Sequence, residues 1–252
     1  MCKLISSARQ IDARYKKGIM NNRKVRFLDK GYVRLVDTMG SDLSIVNAAR
    51  VSYQKEASEV SKSDERLIDF LSREGHTAPF RHAFATFEVY APLMVARQWF
   101  KYVVGADHTM DSWSEASRRY VTSTPEFYVV SPSEWRSAPE NSKQGSGGVL
   151  DPSIGEPITA KLVENYDRCL ALYDEMMEQG VCAEQARLFL PGYGTYVYWR
   201  WSASLQSICH FLVQRLDAHA QYEIQVGARA VHQLIAPKFP VSISTWMEHN
   251  AA

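Results

Sequence analysis

The stretch Ala83–Tyr120, AFATFEVYAPLMVARQWFKYVVGADHTMDSWSEASRRY, sets the architecture of the chain. Its opening, Ala83–Ala91, alternates apolar and polar side chains through Phe84, Thr86-Phe87 and Val89, the period-2 pattern of a strand. Pro92 lacks an amide hydrogen that the first turn of a helix does not need, so it suits the start of a helix over Leu93 to about Val103. A polar loop with Asp107, His108 and Asp111 follows, closing on Glu115-Ala-Ser117-Arg-Arg-Tyr120. The pattern predicts functional groups carried from a rigid element into a loop. Arg97, Arg118 and Arg119 each offer a planar fork of donors to a phosphate. Trp99, Phe100, Tyr102 and Trp113 offer flat faces to a ring. Taken singly, each residue also reads as a solvated loop residue or a buried aromatic anchor. The cluster favours a site for an anion joined to an aromatic ring, hence a nucleotide or dinucleotide.

Towards the N-terminus, residues 1–23 are polar and basic and read as a flexible extension. Val25–Asp29 and Tyr32–Val36, split by Lys30-Gly31, predict a hairpin. Ser41 or Asp42 is placed to cap a helix through Arg50. Ser61 with Asp64 three positions on predicts a capping box for a second helix through Arg73, with a stripe of Leu67, Phe70 and Leu71. Gly75–His82 reads as a turn-rich connector; its His76 and His82 do not share a helical face, so no metal site is expected there.

Towards the C-terminus, Phe127–Val130 reads as a short strand. The segment 131–157 is rich in Pro, Gly and Ser and reads as a flexible surface excursion. Its Gly145–Gly148 cluster has no strand before it and no P-loop lysine, so it is not a phosphate cradle. Pro157 is expected to open an amphipathic helix to Gln179, with Leu162, Tyr166, Leu170, Tyr173 and Met177 on one stripe. Cys182–Leu190 predicts a further helix carrying Arg187, and Thr195–Ala203 a half-buried strand or aromatic wall. Ser204 to about Leu216 predicts a helix with Leu205, Ile208 and Leu212 inward, His210 and Gln214 one turn apart, and Arg215 at its end. A last helix is expected over Ala220–Leu234, with Pro237 and Pro240 ending regular structure. With no internal repeat and no linker, the pattern predicts one α+β domain over residues 24–252.

The totals narrow the function classes. A chain of 252 residues with 46% hydrophobic and 23% charged content is an ordinary globular sequence with ample core. A net charge of +1 argues against nucleic acid or a membrane surface as partner. Cys2, Cys169, Cys182 and Cys209 have no C-x-x-C spacing, which argues for a reducing compartment and against structural zinc. No signal peptide and no membrane span is expected, so the expected location is cytoplasmic.

No cysteine or serine sits in a nucleophile signature. The recurrent feature is instead an isolated arginine in apolar or aromatic surroundings: Arg97, Arg119, Arg187 and Arg215. A buried guanidinium stays charged and needs an anion. Internal pairing with Asp or Glu would satisfy any one of them; four in distant segments suggest convergence on a ligand.

Five blocks carry a family resemblance: MGSDLSIVNAARVS (Met39–Ser52), GHTAPFRH (Gly75–His82), APLMVARQWF (Ala91–Phe100), SEASRRY (Ser114–Tyr120) and RLDAHAQYEIQ (Arg215–Gln225). Together, and in this order, they resemble the flavin-dependent thymidylate synthases. The resemblance implies a homotetramer of α+β subunits, each an antiparallel or mixed sheet flanked by long helices, with sites built from several chains. It implies reductive methylation at uracil C5, with 5,10-methylenetetrahydrofolate giving the carbon, reduced FAD the hydride, and NADPH reducing the flavin. No enzyme cysteine attacks the base in this family. Carried onto matching positions, Gln98, Ser117, Arg119 and Arg187 would hold the nucleotide, and Arg215 would stabilise negative charge on the uracil N3/O4 side. Ser52, His76, Lys101, Tyr102, Glu115, Ser204, Gln206 and His210 would lie on the flavin side, with no metal involved.

The chain departs from the family's signature, Arg-His-Arg followed by seven residues and a serine. Here the triplet is Lys101-Tyr102-Val103, and thirteen residues (104 to 116) precede Ser117. Lys101 still meets a phosphate as a point charge, and Tyr102 can stack or donate. The inserted Gly105–Asp111 is a candidate source of replacement contacts at the pocket mouth. Arg81 stands where an acidic residue is common, and Ser204-Leu-Gln206 where an Asn-containing pattern is common. The substrate is dUMP or UMP, and the lost triplet keeps open a relative that binds flavin or nucleotide without turnover.

Overall fold

The computed structural model describes residues 23–105, 112–117, 124–140 and 145–250. The N-terminal extension, the Asp107-His108-Asp111 loop, and Arg118 and Arg119 therefore lie outside the described residues. Strands β1 (Lys24–Phe27) and β2 (Gly31–Met39) form the expected antiparallel hairpin. Gly31 is required there, because a Cβ at that position would stand 2.8 Å from the Phe27 carbonyl oxygen. Helix α1 (Asp42–Arg50) starts at Ser41, and the Ser44 hydroxyl accepts from the Ser41 amide at 3.1 Å. Helix α2 (Lys62–Arg73) uses the predicted box, with Asp64 Oδ2 accepting from the Ser61 amide at 2.9 Å.

Strand β3 (Phe84–Pro92) runs without a loop into helix α3 (Leu93–Gly105). The short strand β4 (Ser112–Glu115) precedes helix α4 (Pro152–Glu178), and the single turn α5 (Ala183–Ala186) follows. Strand β5 (Tyr196–Ser204) leads directly into helix α6 (Leu205–Leu216), then helices α7 (Tyr222–Ile235) and α8 (Pro240–Asn250). The strands form one antiparallel sheet in the order β1-β2-β3-β5-β4.

The alternation of β3 and β5 gives the sheet one apolar face, where Val33, Leu35, Phe87, Val89, Trp199 and Trp201 are buried beneath the helices. The opposite face is polar. There Glu88 accepts from the Tyr32 hydroxyl at 3.1 Å and from Arg34 Nε at 3.1 Å, and Arg34 Nη2 closes the ion pair. These donors hold the Glu88 carboxyl at about 2, with the Arg34 hydrogen bond the largest cause. Asp42 is buried at the start of α1, where it accepts from the amides of Val241 and Ser242, both at 3.0 Å, and so caps the first turn of α8.

Several expectations are corrected. Pro92 ends β3, pairing with Tyr196, rather than opening α3. Helix α4 begins at Pro152, not Pro157, because Asp151 accepts from the Ser153 amide at 2.8 Å and caps it there. The 131–157 segment is thus partly helical, and Arg136 and Val149 form a bridge across its middle. Gly155 packs so closely that a Cβ would overlap the Pro132 carbonyl. Of the expected α4 stripe only Tyr166 is buried, and Met177 is exposed. On α2, Ile68 is buried and Phe70 is exposed. Phe127 makes a single bridge to Thr195 rather than a strand. Residues 187–189 form a 3-10 turn, so the expected 182–190 helix is only one α turn long. Pro240 opens a helix instead of ending structure. Among the described residues, no helix is long and apolar enough to cross a membrane.

Candidate functional site

Helix α3 buries Val95, Ala96 and Trp99 against the sheet and leaves Arg97, Gln98, Lys101 and Tyr102 on its outer side. Those four are paired at four-residue spacing, 97 with 101 and 98 with 102, so each pair stands one turn apart on a shared face. Helix α6 does the same with Ile208, Cys209, Phe211 and Leu212 inward, which leaves Gln206 and His210 on one face and Arg215 in the last turn. The ends of these two helices meet.

At the meeting point Arg215 Nη1 donates to Gln98 Oε1 at 3.4 Å, and Nη2 donates to the Tyr102 hydroxyl. The Arg215 guanidinium carbon also lies 4.1 Å from the centre of the Tyr102 ring, a cation–π distance. Tyr102 and His210 have ring centres 5.9 Å apart. Burial, then the positive charge of Arg215, pushes the His210 imidazole below its ordinary value and favours the neutral ring. Among the described residues no carboxylate pairs with Arg215, and its Nε is buried without a hydrogen-bond partner. A half-buried guanidinium whose hydrogen-bond partners, Gln98 and Tyr102, are neutral keeps one N–H unsatisfied. That chemistry suits an anion or a carbonyl oxygen.

Beside this group lies a cleft of about 290 Å³ lined by Met94, Arg97, Gln98, Lys101, Tyr193 and Gln221. Two exposed cations, two amides and a phenol make it suited to a phosphorylated ring compound. A more open depression of about 570 Å³ is lined by Arg50, Tyr53, Lys55, Glu56 and Leu67. Ser52 is exposed beside it.

The structure therefore brings together Gln98, Lys101, Tyr102, His210 and Arg215, with Gln206 one turn from His210, and leaves Ser52, His76, Glu115 and Arg187 apart within one chain; Arg119 lies outside the described residues. His76 is exposed and packs edge-on against Phe70, with ring centres 5.5 Å apart. Gln206 accepts from Arg81 Nε at 2.7 Å. Glu115 is exposed on β4 and accepts from Trp113 Nε1 at 3.4 Å, and Ser117 follows just beyond the strand. Arg187 is exposed and donates to the Glu184 carbonyl at 3.2 Å. Ser204 is buried, and its hydroxyl accepts from the Ser207 amide at 3.2 Å, so in this chain it caps α6. Sequence reasoning passed over Tyr193 and Gln221. The available signals were an aromatic residue set between Gly192 and Gly194, and an amide directly before a helix. Among the described residues, no cluster of three or more His, Cys, Asp or Glu is placed to hold a metal.

A family model described as "Thymidylate synthase complementing protein" matches residues 34–241. The flavin-dependent thymidylate synthase of Thermotoga neapolitana is 38% identical over 226 residues, covering 90% of this chain and 95% of the relative. That of Wolbachia pipientis wMel is 38% identical over 225 residues, covering 89% and 76%. Among solved structures, the UMP/dUMP methylase PolB from Streptomyces cacaoi bound with 5-Br dUMP matches with a TM-score of 0.77 at 27% identity, over 88% of this chain and 97% of that one. The same enzyme bound with 5-Br UMP gives 0.76 at 26% identity, over 92% and 99%.

Proposed function

Since the chain belongs to the thymidylate synthase complementing protein family, that of the flavin-dependent thymidylate synthases, we propose that it methylates C5 of a uridine monophosphate. The substrate is dUMP, giving dTMP, or UMP, giving 5-methyl-UMP; a similar structure is named a UMP/dUMP methylase. The observation that carries this reading is Arg215, a half-buried cation with neutral partners and a free Nε. Placed against O4, on the N3/O4 side of the uracil, it stabilises negative charge on the ring and makes C5 the better nucleophile. Gln98 holds the same ring, and Ser117, Arg119 and Arg187 complete the nucleotide site.

The cofactor is FAD. The donors on the outer side of α3 and α6 fit it: Lys101 offers a charge to a phosphate, while Gln206 and His210 stand one turn apart on one face. Because Arg81 donates to the Gln206 carbonyl, the Gln206 amide nitrogen is left for a ligand. Tyr102, Ser52, His76 and Glu115 belong to the same side, and Ser204 contributes by starting the helix that carries Gln206 and His210. When bound and reduced, FAD supplies the hydride, with NADPH as its reductant and 5,10-methylenetetrahydrofolate as the carbon donor.

The site is completed by self-association as a homotetramer. Supporting this, Leu188, next to Arg187 in the chain, is 81% exposed, Tyr193 is 72% exposed, and Leu172 and Met177 of α4 are also uncovered. Arg187 then serves the site of a neighbouring copy. We place the enzyme in the cytoplasm, in keeping with cysteines that form no C-x-x-C pair.

One second reading has an observation behind it: Lys101-Tyr102-Val103 replaces the family triplet, which suits a relative that binds flavin without turnover. Anaerobic addition of NADPH to the FAD-loaded protein separates the two. Bleaching of the flavin absorbance that accelerates with bound nucleotide supports the enzyme. A flavin that stays oxidised supports the binding-only relative.

A further inference from the structure

Two amide side chains face the cleft between α3 and the loop after α6, and their partners fix them in opposite senses. Arg215 can only donate, so Gln98 turns its carbonyl oxygen towards it and leaves its amide nitrogen for the cleft. Gln221 is held the other way. Its Nε2 donates to Glu223 Oε2 at 3.1 Å, and a carboxylate paired with arginine can only accept. The Gln221 carbonyl oxygen is thereby left for the cleft, whose other polar side chains, Arg97, Lys101, Gln98 and the Tyr193 hydroxyl, can all donate.

Glu223 is itself fixed. Its carboxylate is 3% exposed and ion-paired through Oε1 with Arg136 Nη2. The Arg136 guanidinium lies 4.7 Å from the centre of the Tyr222 ring. Arg136 in turn is set by backbone ties across its segment: Ser137 N to Gly148 O at 2.9 Å and Leu150 N to Trp135 O at 2.7 Å. The described part of the 131–157 segment, which reads as a flexible excursion in the sequence, thus helps to fix a side chain that lines the cleft.

We propose that Gln221 contacts the nucleotide as a hydrogen-bond acceptor, oriented by Glu223, which is a positioning residue held in place by Arg136. This rests on the nucleotide reading of the cleft. A uridine monophosphate has few groups that an acceptor recognises: the imide N3–H and the ribose hydroxyls. Paired with the Gln98 donor, the Gln221 acceptor matches a carbonyl next to an N–H, the pattern of the uracil imide edge. The same acceptor also fits a sugar hydroxyl. Either way the recognised chemistry is an N–H or O–H donor of the nucleotide.

The test is calorimetric binding of dUMP, UMP and ribose 5-phosphate to the full-length protein, to Gln221→Leu, to Glu223→Gln and to the double variant. Gln221→Leu is expected to weaken nucleotide binding roughly tenfold while the protein still melts cooperatively. Equal losses for dUMP and UMP with ribose 5-phosphate unaffected assign the contact to N3–H. A loss shared by ribose 5-phosphate, or larger for UMP than for dUMP, assigns it to a hydroxyl. Glu223→Gln lets the neighbouring amide turn over, so it should weaken binding by itself yet add nothing to Gln221→Leu. Unchanged nucleotide affinity in Gln221→Leu overturns the contact. Additive losses in the double variant overturn the positioning role. A wild-type protein that binds none of the three ligands overturns the nucleotide reading itself.

Discussion

Tyr102 holds Arg215 twice: its hydroxyl accepts from Nη2, and its ring lies 4.1 Å from the guanidinium carbon. The tyrosine stands at the middle of the altered triplet, where the family signature has a histidine. Tyr102→Phe keeps the ring and removes the hydroxyl. Losing one hydrogen bond to a charged group is expected to lower kcat/KM about tenfold, measured with saturating cofactors. Arg215→Gln removes the charge, and kcat should fall by roughly two to three orders of magnitude.

The polar face of the sheet predicts an acid limb of stability. Glu88 titrates at about 2 in the folded chain, below its ordinary value of 4.5, because Arg34 and two tyrosine hydroxyls hold the ionised form. A depressed carboxylate contributes stability that is full above pH about 4.5 and is lost as the pH falls towards 2. Melting temperatures recorded across that window should fall for the wild type and fall less for Glu88→Gln. Parallel curves for the two proteins would contradict the assignment.

Asp42 ties the first helix to the last. It is 5% exposed and accepts the amides of Val241 and Ser242 and the Ser242 hydroxyl. Asp42→Ala leaves those donors unpaired at the start of α8. The expected cost is about 2–3 kcal/mol, read as a drop of about 5–10 °C in Tm by calorimetry. A change within error would mean that water replaces the carboxylate.

Exposed apolar residues predict the assembly. Leu188→Asp, with Met177→Lys as a second variant, should shift the protein to smaller species in light scattering after gel filtration. Turnover should fall with the mass, because Arg187 then has no neighbouring site to enter. Full activity in a dispersed protein would confine the site to one chain.

Elements specified by neighbouring residues were legible in the sequence. Ser41 or Asp42 as a cap announces α1, the Ser61–Asp64 capping box announces α2, and the alternation of Ala83–Ala91 announces β3. Elements specified at a distance were not. Ser-Trp-Ser-Glu at 112–115 is polar and becomes β4 only by pairing with Trp199–Ser202. Asp151, rather than Pro157, starts α4, since the cap outweighs a proline further in. Arg215 stood out as an isolated cation, but its partners Gln98 and Tyr102 lie 117 and 113 residues away. Glu223 and Arg136, 87 residues apart, gave no sequence signal at all.

The most direct measurement is an anaerobic turnover assay with FAD, NADPH and methylenetetrahydrofolate, offering dUMP and UMP separately and following product by mass. The account predicts a gain of one methyl group on at least one of the two nucleotides, lost in Arg215→Gln. Flavin and nucleotide bound without any methylated product would contradict it.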